Sequence, residues 1–169
     1  MKSSKLTIRE MILFGMLGAM TFALKVAMAA LPNIEPVSLT LLLYAVVFGW
    51  KALYPTFLYV VMEILYFGLG TWNLCYFYIW PLLVVAGICM KKMQSSLGWA
   101  VLSGAFGLAF GALCGIVDIF IGGLGYAVAK WTSGIPFDIA HCVGNFCITV
   151  VLFAPLRRLL EKLYGRINA

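Results

Sequence analysis

Three polar residues near the C-terminal end of the chain have the spacing of one helical face. Asp138, His141 and Asn145 follow one another at intervals of three and four residues within an apolar stretch, and residues at these intervals are neighbours on a helix surface. A carboxylate, an imidazole and an amide on one face indicate a site for a polar small molecule. Two alternatives stay open, because Asp138 is also typical of a helix N-cap and His141 of a structural core histidine.

Further ionisable residues lie in or beside apolar stretches. Such a group costs about 2.5–3.5 kcal/mol at the centre of a membrane helix, so it is expected to face protein or water. The candidates are Glu35, Glu63 and Asp118, and the position of Lys25 allows it to pair with one of these carboxylates. Asn33 shares a predicted loop with Glu35. Glu35 is also typical of a solvated charge, and Glu63 of a structural ion pair.

Aromatic residues mark the predicted start of one helix: Trp72, Tyr76, Phe77, Tyr78 and Trp80. Aromatic residues favour membrane–water interfaces, and they also form flat walls with polar tips for a planar ring. We predict that Trp72, Asn73, Tyr76 and Trp80 contribute to a substrate site. Three predicted loops, at 31–36, 68–73 and 122–136, contain glycine, aromatic and polar residues, typical either of mobile lids over a pocket or of plain turns.

The composition requires an apolar environment for most of the chain. Hydrophobic residues make up 64% of the 169 residues and charged residues 11%, whereas soluble domains have about 45–50% and 25%. A membrane helix needs about 20 apolar residues. We therefore predict one transmembrane substrate-binding domain over residues 1–169, an all-α integral membrane fold with a compact bundle of six transmembrane helices. The predicted helices span residues 7–31, 36–48, 52–69, 73–90, 97–121 and 136–160.

Basic residues determine the predicted orientation. With a cytoplasmic N-terminus, ten of the twelve Lys and Arg residues lie on the inner side, and only Lys25 and Lys130 lie toward the outside. Six helices return the C-terminus to the cytoplasm. The net charge of +6 thus reflects topology and indicates no nucleic-acid partner. The polar candidates gather in the outer half, and the inner half is expected to be apolar.

Small residues recur every four positions on the first predicted helix: Gly15, Ala19, Ala23 and Ala27. Such a stripe lets another backbone approach closely, and the second backbone belongs either to a partner protein or to this chain. Glycines in the fifth predicted helix have similar spacing and favour internal packing: Gly104, Gly107, Gly111 and Gly115.

Sequence motifs for catalysis and metal binding are missing. There is no phosphate-binding loop, nucleophile elbow or metal-ligand spacing, and the five cysteines lie in apolar stretches without a paired motif. We therefore expect neither enzymatic activity nor a metal or cofactor in this chain. No row of carboxylates crosses the predicted bundle, and no inverted halves are evident, which disfavours a self-sufficient transporter.

Four segments of the sequence resemble the S components of energy-coupling factor (ECF) transporters, which are small six-helix proteins that capture vitamins for an ATP-driven importer. These segments are residues 15–23 (GMLGAMTFA), 31–39 (LPNIEPVSL), 135–141 (IPFDIAH) and 155–160 (PLRRLL). The first contains the Ala19–Ala23 step. Length, predicted helix number and predicted orientation match along essentially the whole chain.

The resemblance implies a multi-pass protein of the bacterial plasma membrane that works with partner proteins. The first-helix stripe of Gly15, Ala19, Ala23 and Ala27 would dock on a transmembrane T subunit that carries two cytoplasmic ATPases, and ATP would be used by those partners alone. The vitamin would bind near the outer surface, and release inward by toppling would need no inner polar pathway. By region, the implied substrate-binding residues are Asn33, Glu35, Trp72, Asn73, Tyr76, Trp80, Asp118, Asp138, His141 and Asn145.

Acidic groups outnumber basic groups on the predicted outer side, which favours a neutral or cationic heterocycle over a strongly anionic ligand. Pyridoxine-like, pyrimidine and nucleoside-like compounds fit this description, and cobalamin stays open. Three other functions are alternatives: a self-sufficient permease or channel, an integral membrane enzyme built on Asp118, Asp138 and His141, and a structural subunit without a ligand.

Overall fold

The computed structural model describes residues 6–30 and 35–167, and every regular element in these ranges is helical. The helices are α1 (Ile8–Ala27), α2 (Val37–Phe48), α3 (Leu53–Phe67), α4 (Thr71–Cys89) and α5 (Ser96–Ile167). Four helical stretches are long and apolar enough to cross a membrane: Ile8–Ala27, Val37–Phe67, Thr71–Cys89 and Ser96–Ile167. The predicted all-helical class is therefore confirmed, and these apolar helices are compatible with a membrane location.

Helix α1 begins at a capping box and buries one face. The Thr7 hydroxyl accepts a hydrogen bond from the Glu10 amide at 3.2 Å, and the Glu10 carboxylate accepts one from the Thr7 amide at 3.1 Å, so two free helix-end donors are satisfied. The buried face of α1 packs mainly against α3. At Gly18 a Cβ atom would lie 2.9 Å from the Pro55 carbonyl, so only glycine fits this contact.

Helix α2 is the central helix, because ten of its twelve residues are buried and it packs against both α4 and α5. It ends at Phe48, as predicted. Gly49 has a φ of +59°, which glycine adopts without the steric cost of a side chain, and a 3₁₀ turn over Gly49–Ala52 leads into α3.

Helix α5 has 72 residues and is interrupted at Gly123, which has non-helical backbone angles (φ 80°, ψ 176°). The two parts, residues 96–122 (the first arm) and 124–167 (the second arm), fold back on each other. The Gly111 amide donates a hydrogen bond to Asp138 Oδ1 at 3.0 Å, and a Cβ atom on Gly107 would lie 2.9 Å from the His141 carbonyl oxygen. These glycines therefore serve internal packing, as predicted for this helix.

The prediction of a loop at residues 122–136 is wrong, because the structure is helical there except at Gly123. Pro136 lies inside the second arm and does not begin a helix. A helical glycine costs about 1 kcal/mol relative to alanine. That cost is smaller than the cost of unsatisfied backbone groups in apolar surroundings, where each group must find a partner within the protein.

The two ends of the bundle each contain a buried ionic contact. At the first end, called the Glu10 end, Lys51 Nζ lies 2.7 Å from Glu10 Oε1. At the opposite end, called the Lys25 end, Lys25 Nζ lies 2.7 Å from Glu63 Oε2. The contacts of Lys51 and Glu63 show that α3 runs parallel to α1. The half of the bundle that contains the start of α1 is therefore not wholly apolar, since Lys51, from the 3₁₀ turn before α3, reaches the buried carboxylate of Glu10.

Candidate functional site

The Lys25 end holds a cluster of three ionisable groups and a phenol. Lys25 donates to Glu63 Oε2 at 2.7 Å and to the Tyr76 hydroxyl at 3.3 Å, and its Nζ lies 3.9 Å from Glu35 Oε2. Lys25 occupies the last turn of α1, where the helix dipole favours a cation. The predicted pairing of Lys25 with a carboxylate is confirmed.

This ionic cluster is buried and has more negative than positive charge. The Glu63 side chain is 1% exposed, and those of Lys25 and Glu35 are 18% and 15% exposed, so Glu35 is not a solvated surface charge. Burial raises the pKa of Glu35 above its ordinary value of 4.5, while the nearby Lys25 charge opposes the rise and Glu63 adds to it. One ammonium group thus faces two carboxylates.

Aromatic rings from three helices form a wall beside the ionic cluster. Trp80 is central: its ring centroid lies 5.4 Å from that of Tyr76, 6.0 Å from that of Tyr59 and 5.5 Å from that of Phe110. Lys25 Nζ lies 5.1 Å from the Tyr76 ring centroid, within the range of a cation–π contact. We call Tyr59, Tyr76, Trp80 and Phe110 the aromatic wall.

The second arm of α5 brings its polar face to the other side of the aromatic wall. The His141 ring lies 5.0 Å from that of Phe110. Asn145 Nδ2 donates to the Ser38 hydroxyl at 3.0 Å and to the Ser103 carbonyl at 3.2 Å. Asp138 lies inside a continuous helix, so the alternative that it is an N-cap is wrong.

Nine polar side-chain atoms are buried without a hydrogen-bond partner among the described residues, and most belong to the aromatic wall, the ionic cluster or the polar face of the second arm. They are Tyr59 OH, Glu63 Oε1, Asn73 Nδ2, Trp80 Nε1, Ser103 Oγ, Asp138 Oδ2, His141 Nε2, Asn145 Oδ1 and Thr149 Oγ1. A buried unpaired polar group costs about 1–3 kcal/mol. Most such groups in proteins are paired, so a concentration of exceptions in one region calls for a physical explanation, and binding of a polar molecule would provide it.

Two predicted site residues do not join this arrangement. Trp72 is half-exposed, and its ring lies against the backbone of Gly70. Asp118 is buried but pairs with Lys130, whose Nζ lies 2.6 Å from Asp118 Oδ1. Trp72 lies in the first turn of α4, and Asp118 lies close to the turn at Gly123.

The remaining predicted residues divide into three groups. Asn73 Oδ1 accepts a hydrogen bond from the Gly70 amide at 2.8 Å, so this side chain caps the start of α4. Asn33 lies outside the described residues. The structure brings together six others around the ionic cluster and the wall: Glu35, Tyr76, Trp80, Asp138, His141 and Asn145.

Three residues of this region were not predicted from the sequence: Tyr59, Phe110 and Thr149. Tyr59 lies one helical turn before Glu63 on α3, and Thr149 lies one turn after Asn145 on α5. Because i and i+4 side chains share a helix face, extending the polar faces by one turn would have found both. Phe110 carries no such signal, since an aromatic residue in an apolar helix is typical of any core.

The small-residue stripe of α1 faces outward from the bundle. Gly15 and Ala19 are partly exposed, and Ala23 and Ala27 are exposed. A Cβ atom on Gly15 would meet nothing within 4 Å among the described residues, in contrast to Gly18 on the packed face. The chain's own helices therefore do not use this stripe in the way that the arms of α5 use their glycines.

Comparisons with protein-family models, curated proteins and solved structures gave no match to this chain. The function of the site is therefore inferred from its chemistry. Carboxylates, an imidazole, an amide and aromatic rings can hold a planar polar molecule by hydrogen bonds and stacking.

Proposed function

We propose that this chain is the substrate-binding membrane subunit, or S component, of an ATP-driven ECF importer. It captures a vitamin or a related small heterocycle at the extracellular side and delivers it inward with a T subunit and two ATPases. The observation that carries the proposal is the set of buried, unpartnered polar atoms around the aromatic wall, because a ligand would pair atoms that otherwise destabilise the fold.

The proposed topology has six spans in a bacterial plasma membrane. They are α1, α2, α3, α4 and the two arms of α5. Both termini and the Glu10 end face the cytoplasm, and the Lys25 end with its aromatic wall faces outward. The excess of Lys and Arg toward the Glu10 end supports this orientation.

The proposed ligand is a neutral or cationic heterocycle with N–H donors. Lys25 is already engaged by Glu63 and Tyr76, whereas Glu63 Oε1, Asp138 Oδ2 and other acceptors have no donor among the described residues. The same set includes donors such as Trp80 Nε1, but two of the acceptors are carboxylate oxygens, and their negative charge favours a ligand that donates hydrogen bonds to them. The flat rings of the wall suit a planar ring system.

The experiment that tests the class is purification of the tagged full chain from its native host in mild detergent, followed by mass spectrometry of the proteins and small molecules that co-purify. Two ATPases and a T-type membrane protein together with a vitamin-sized compound are the expected result. A solitary protein that transports the compound alone in liposomes would instead identify a permease, and turnover of a bound compound would identify a membrane enzyme.

The ligand site is tested by single substitutions compared for affinity toward the co-purified compound. His141→Phe keeps an aromatic ring and removes both ring nitrogens, and we expect it to weaken binding by tenfold or more, since leaving a buried hydrogen-bond partner unpaired costs about 1–3 kcal/mol. Phe137→Leu, on the exposed side of the same arm, is the matched control. Trp72→Ala and Asp118→Asn should have smaller effects, and unchanged affinity in every variant would rule out this site.

The docking surface is tested by adding bulk to the stripe of α1. Ala19→Trp and Ala23→Trp are expected to prevent recovery of the T subunit, because close backbone approach needs small residues. Val151→Trp, at an exposed apolar position of α5, provides the control. Intact assembly in both stripe variants would exclude this face as the contact.

A further inference from the structure

A polar cavity of about 210 Å³ lies at the Glu10 end, away from the proposed substrate site. It opens where the start of the first arm of α5 meets the last turns of the second arm. Its lining comprises Gln94, Ser96, Phe153, Ala154, Arg157, Arg158 and Glu161. None of these residues is used by the proposed substrate site.

Positive charge dominates this cavity. Arg157 Nε donates to Glu161 Oε1 at 2.8 Å, which neutralises one guanidinium group. Arg158 has no hydrogen bond or ion pair within the described part of the chain, and Lys91 and Lys92 lie exposed in the turn just before Gln94. The N-terminus of α5 at Ser96 adds the positive end of a helix dipole. The cavity therefore favours an anion.

The base of the cavity is built from fixed aromatic contacts. Phe153 stacks on Trp99 with a centroid distance of 4.8 Å and an interplanar angle of 16°. The Trp99 indole donates to the Met93 carbonyl at 3.0 Å, which ties the connection between α4 and α5 to the bundle. The positions of Gln94 and Ser96 are thus fixed by a buried ring, so the cavity is a formed site.

An apolar surface adjoins this cavity on the first arm. Leu97 directly follows Ser96, Val101 lies one turn further along the helix, and the two side chains are 57% and 55% exposed. A molecule that occupies both surfaces must combine an anionic head with an apolar tail. Basic pockets between membrane helices on the cytoplasmic side bind phosphate-bearing lipid head groups in this way.

We propose that this cavity binds the phosphate group of an anionic phospholipid of the inner leaflet, with Arg158 as the main contact and Leu97 and Val101 beside the acyl chains. The proposal rests on the membrane orientation given above and not on the transport function. The chemistry of the head is that of any phosphate ester, and a soluble phosphate is the other source of the same group.

The test is lipid retention by the full chain in native mass spectrometry after reconstitution with phosphatidylglycerol or phosphatidylcholine. We expect one tightly held phosphatidylglycerol and no retained phosphatidylcholine. Arg158→Gln should lower retention about fivefold, since one basic residue near anionic lipid contributes about 1 kcal/mol. Arg166→Gln removes the same charge from the same helix without lining the cavity, and its retention should equal that of the unmodified chain.

Binding of inorganic phosphate to the lipid-free protein in neutral detergent distinguishes a lipid head group from a soluble phosphate ester as the ligand. Retention of lipid with no phosphate binding supports a lipid site, and phosphate binding that Arg158→Gln removes supports a site for soluble phosphate esters. Equal retention of both lipids, or equal losses in Arg158→Gln and Arg166→Gln, would overturn the proposal. Arg158 is exposed, and thermal unfolding of each variant confirms that folding is unaffected.

Discussion

Two buried clusters at opposite ends of the bundle both pair a glutamate with a lysine. They differ in how many oxygens of the glutamate have a hydrogen-bond partner. At the Glu10 end, Glu10 Oε1 accepts hydrogen bonds from Lys51 and Tyr164, both at 2.7 Å, and Oε2 accepts one from the Thr7 amide at 3.1 Å. Both carboxylate oxygens of Glu10 are therefore satisfied by the protein itself. No buried side-chain atom of this cluster lacks a hydrogen-bond partner within the described part of the chain.

At the Lys25 end the equivalent carboxylate is only half satisfied. Glu63 Oε2 accepts from Lys25, while Oε1 is buried and has no partner in the described ranges. Burial is equally deep, at 2% exposed for Glu10 and 0% for Glu63. Burial of a charge therefore does not identify a binding site in this protein. The free hydrogen-bonding capacity that remains after folding separates a structural cluster from a candidate site.

The largest expected effect is a loss of stability at the Glu10 end. Glu10→Gln leaves Lys51 without a carboxylate, and removing one member of a buried ion pair is costly. We expect the free energy of unfolding to fall by about 2–3 kcal/mol, measured by thermal unfolding in detergent, with ligand affinity unchanged. A loss of affinity without a loss of stability would reverse the roles assigned to the two ends.

The second prediction concerns the corresponding substitution at the Lys25 end. Glu63→Gln removes the negative charge and replaces one carboxylate oxygen by an NH₂ group, while Lys25 keeps Glu35 nearby at 3.9 Å. Ligand affinity should fall more than tenfold, and the free energy of unfolding should also fall, by about 1–2 kcal/mol, because Glu63 is the buried partner of Lys25. Calorimetric titration measures the ligand affinity, and thermal unfolding measures the stability. Unchanged affinity would show that Glu63 has a structural role only.

A matched pair of tyrosines tests the same contrast more finely. Tyr164→Phe removes a hydrogen bond to a carboxylate and keeps the ring against Phe48 at 4.8 Å, so it should destabilise the fold by about 1.5 kcal/mol. Tyr76→Phe removes a longer contact with Lys25 and should act mainly on ligand affinity. Equal effects of both variants on stability would contradict the distinction.

The smallest expected effect is a pH dependence of binding that arises from Glu35. Because burial raises its pKa above 4.5, the folded chain holds this proton more tightly than the unfolded chain does. The contribution to stability is therefore lost as the pH rises from 4.5 through the raised value. Over the same window the carboxylate ionises, so binding of a cationic ligand should strengthen a few-fold. Glu35→Gln should abolish this dependence in titrations.

Local pattern was enough to predict much of the fold. The end of α2 at Phe48 and the shared face of Asp138, His141 and Asn145 both follow from neighbouring residues on one helix. The prediction of a loop at 122–136 was wrong. Glycine is typical of loops, but in apolar surroundings the need to satisfy backbone groups within the protein favours a helix even where glycines are frequent. A turn made by Gly123 alone leaves no mark in the sequence beyond one glycine among many.

The candidate site was predicted only in part because its contacts join distant segments. Asn145 pairs with Ser38, which is 107 residues away, and no periodicity reports such a contact. The burial of Glu10 is a second example. It depends on contacts with Lys51 and Tyr164, which lie 41 and 154 residues away along the chain.

The turn at Gly123 has a consequence for biogenesis. Because one residue reverses the chain, the two arms form a helical hairpin with no intervening loop, and this hairpin contains partners for both of its aspartates. Asp138 accepts from the Gly111 amide, and Asp118 binds Lys130. A lone carboxylate raises the cost of entry into a bilayer. In the proposed membrane topology, a hairpin that forms these contacts first can insert as one unit, before the other helices have assembled around it.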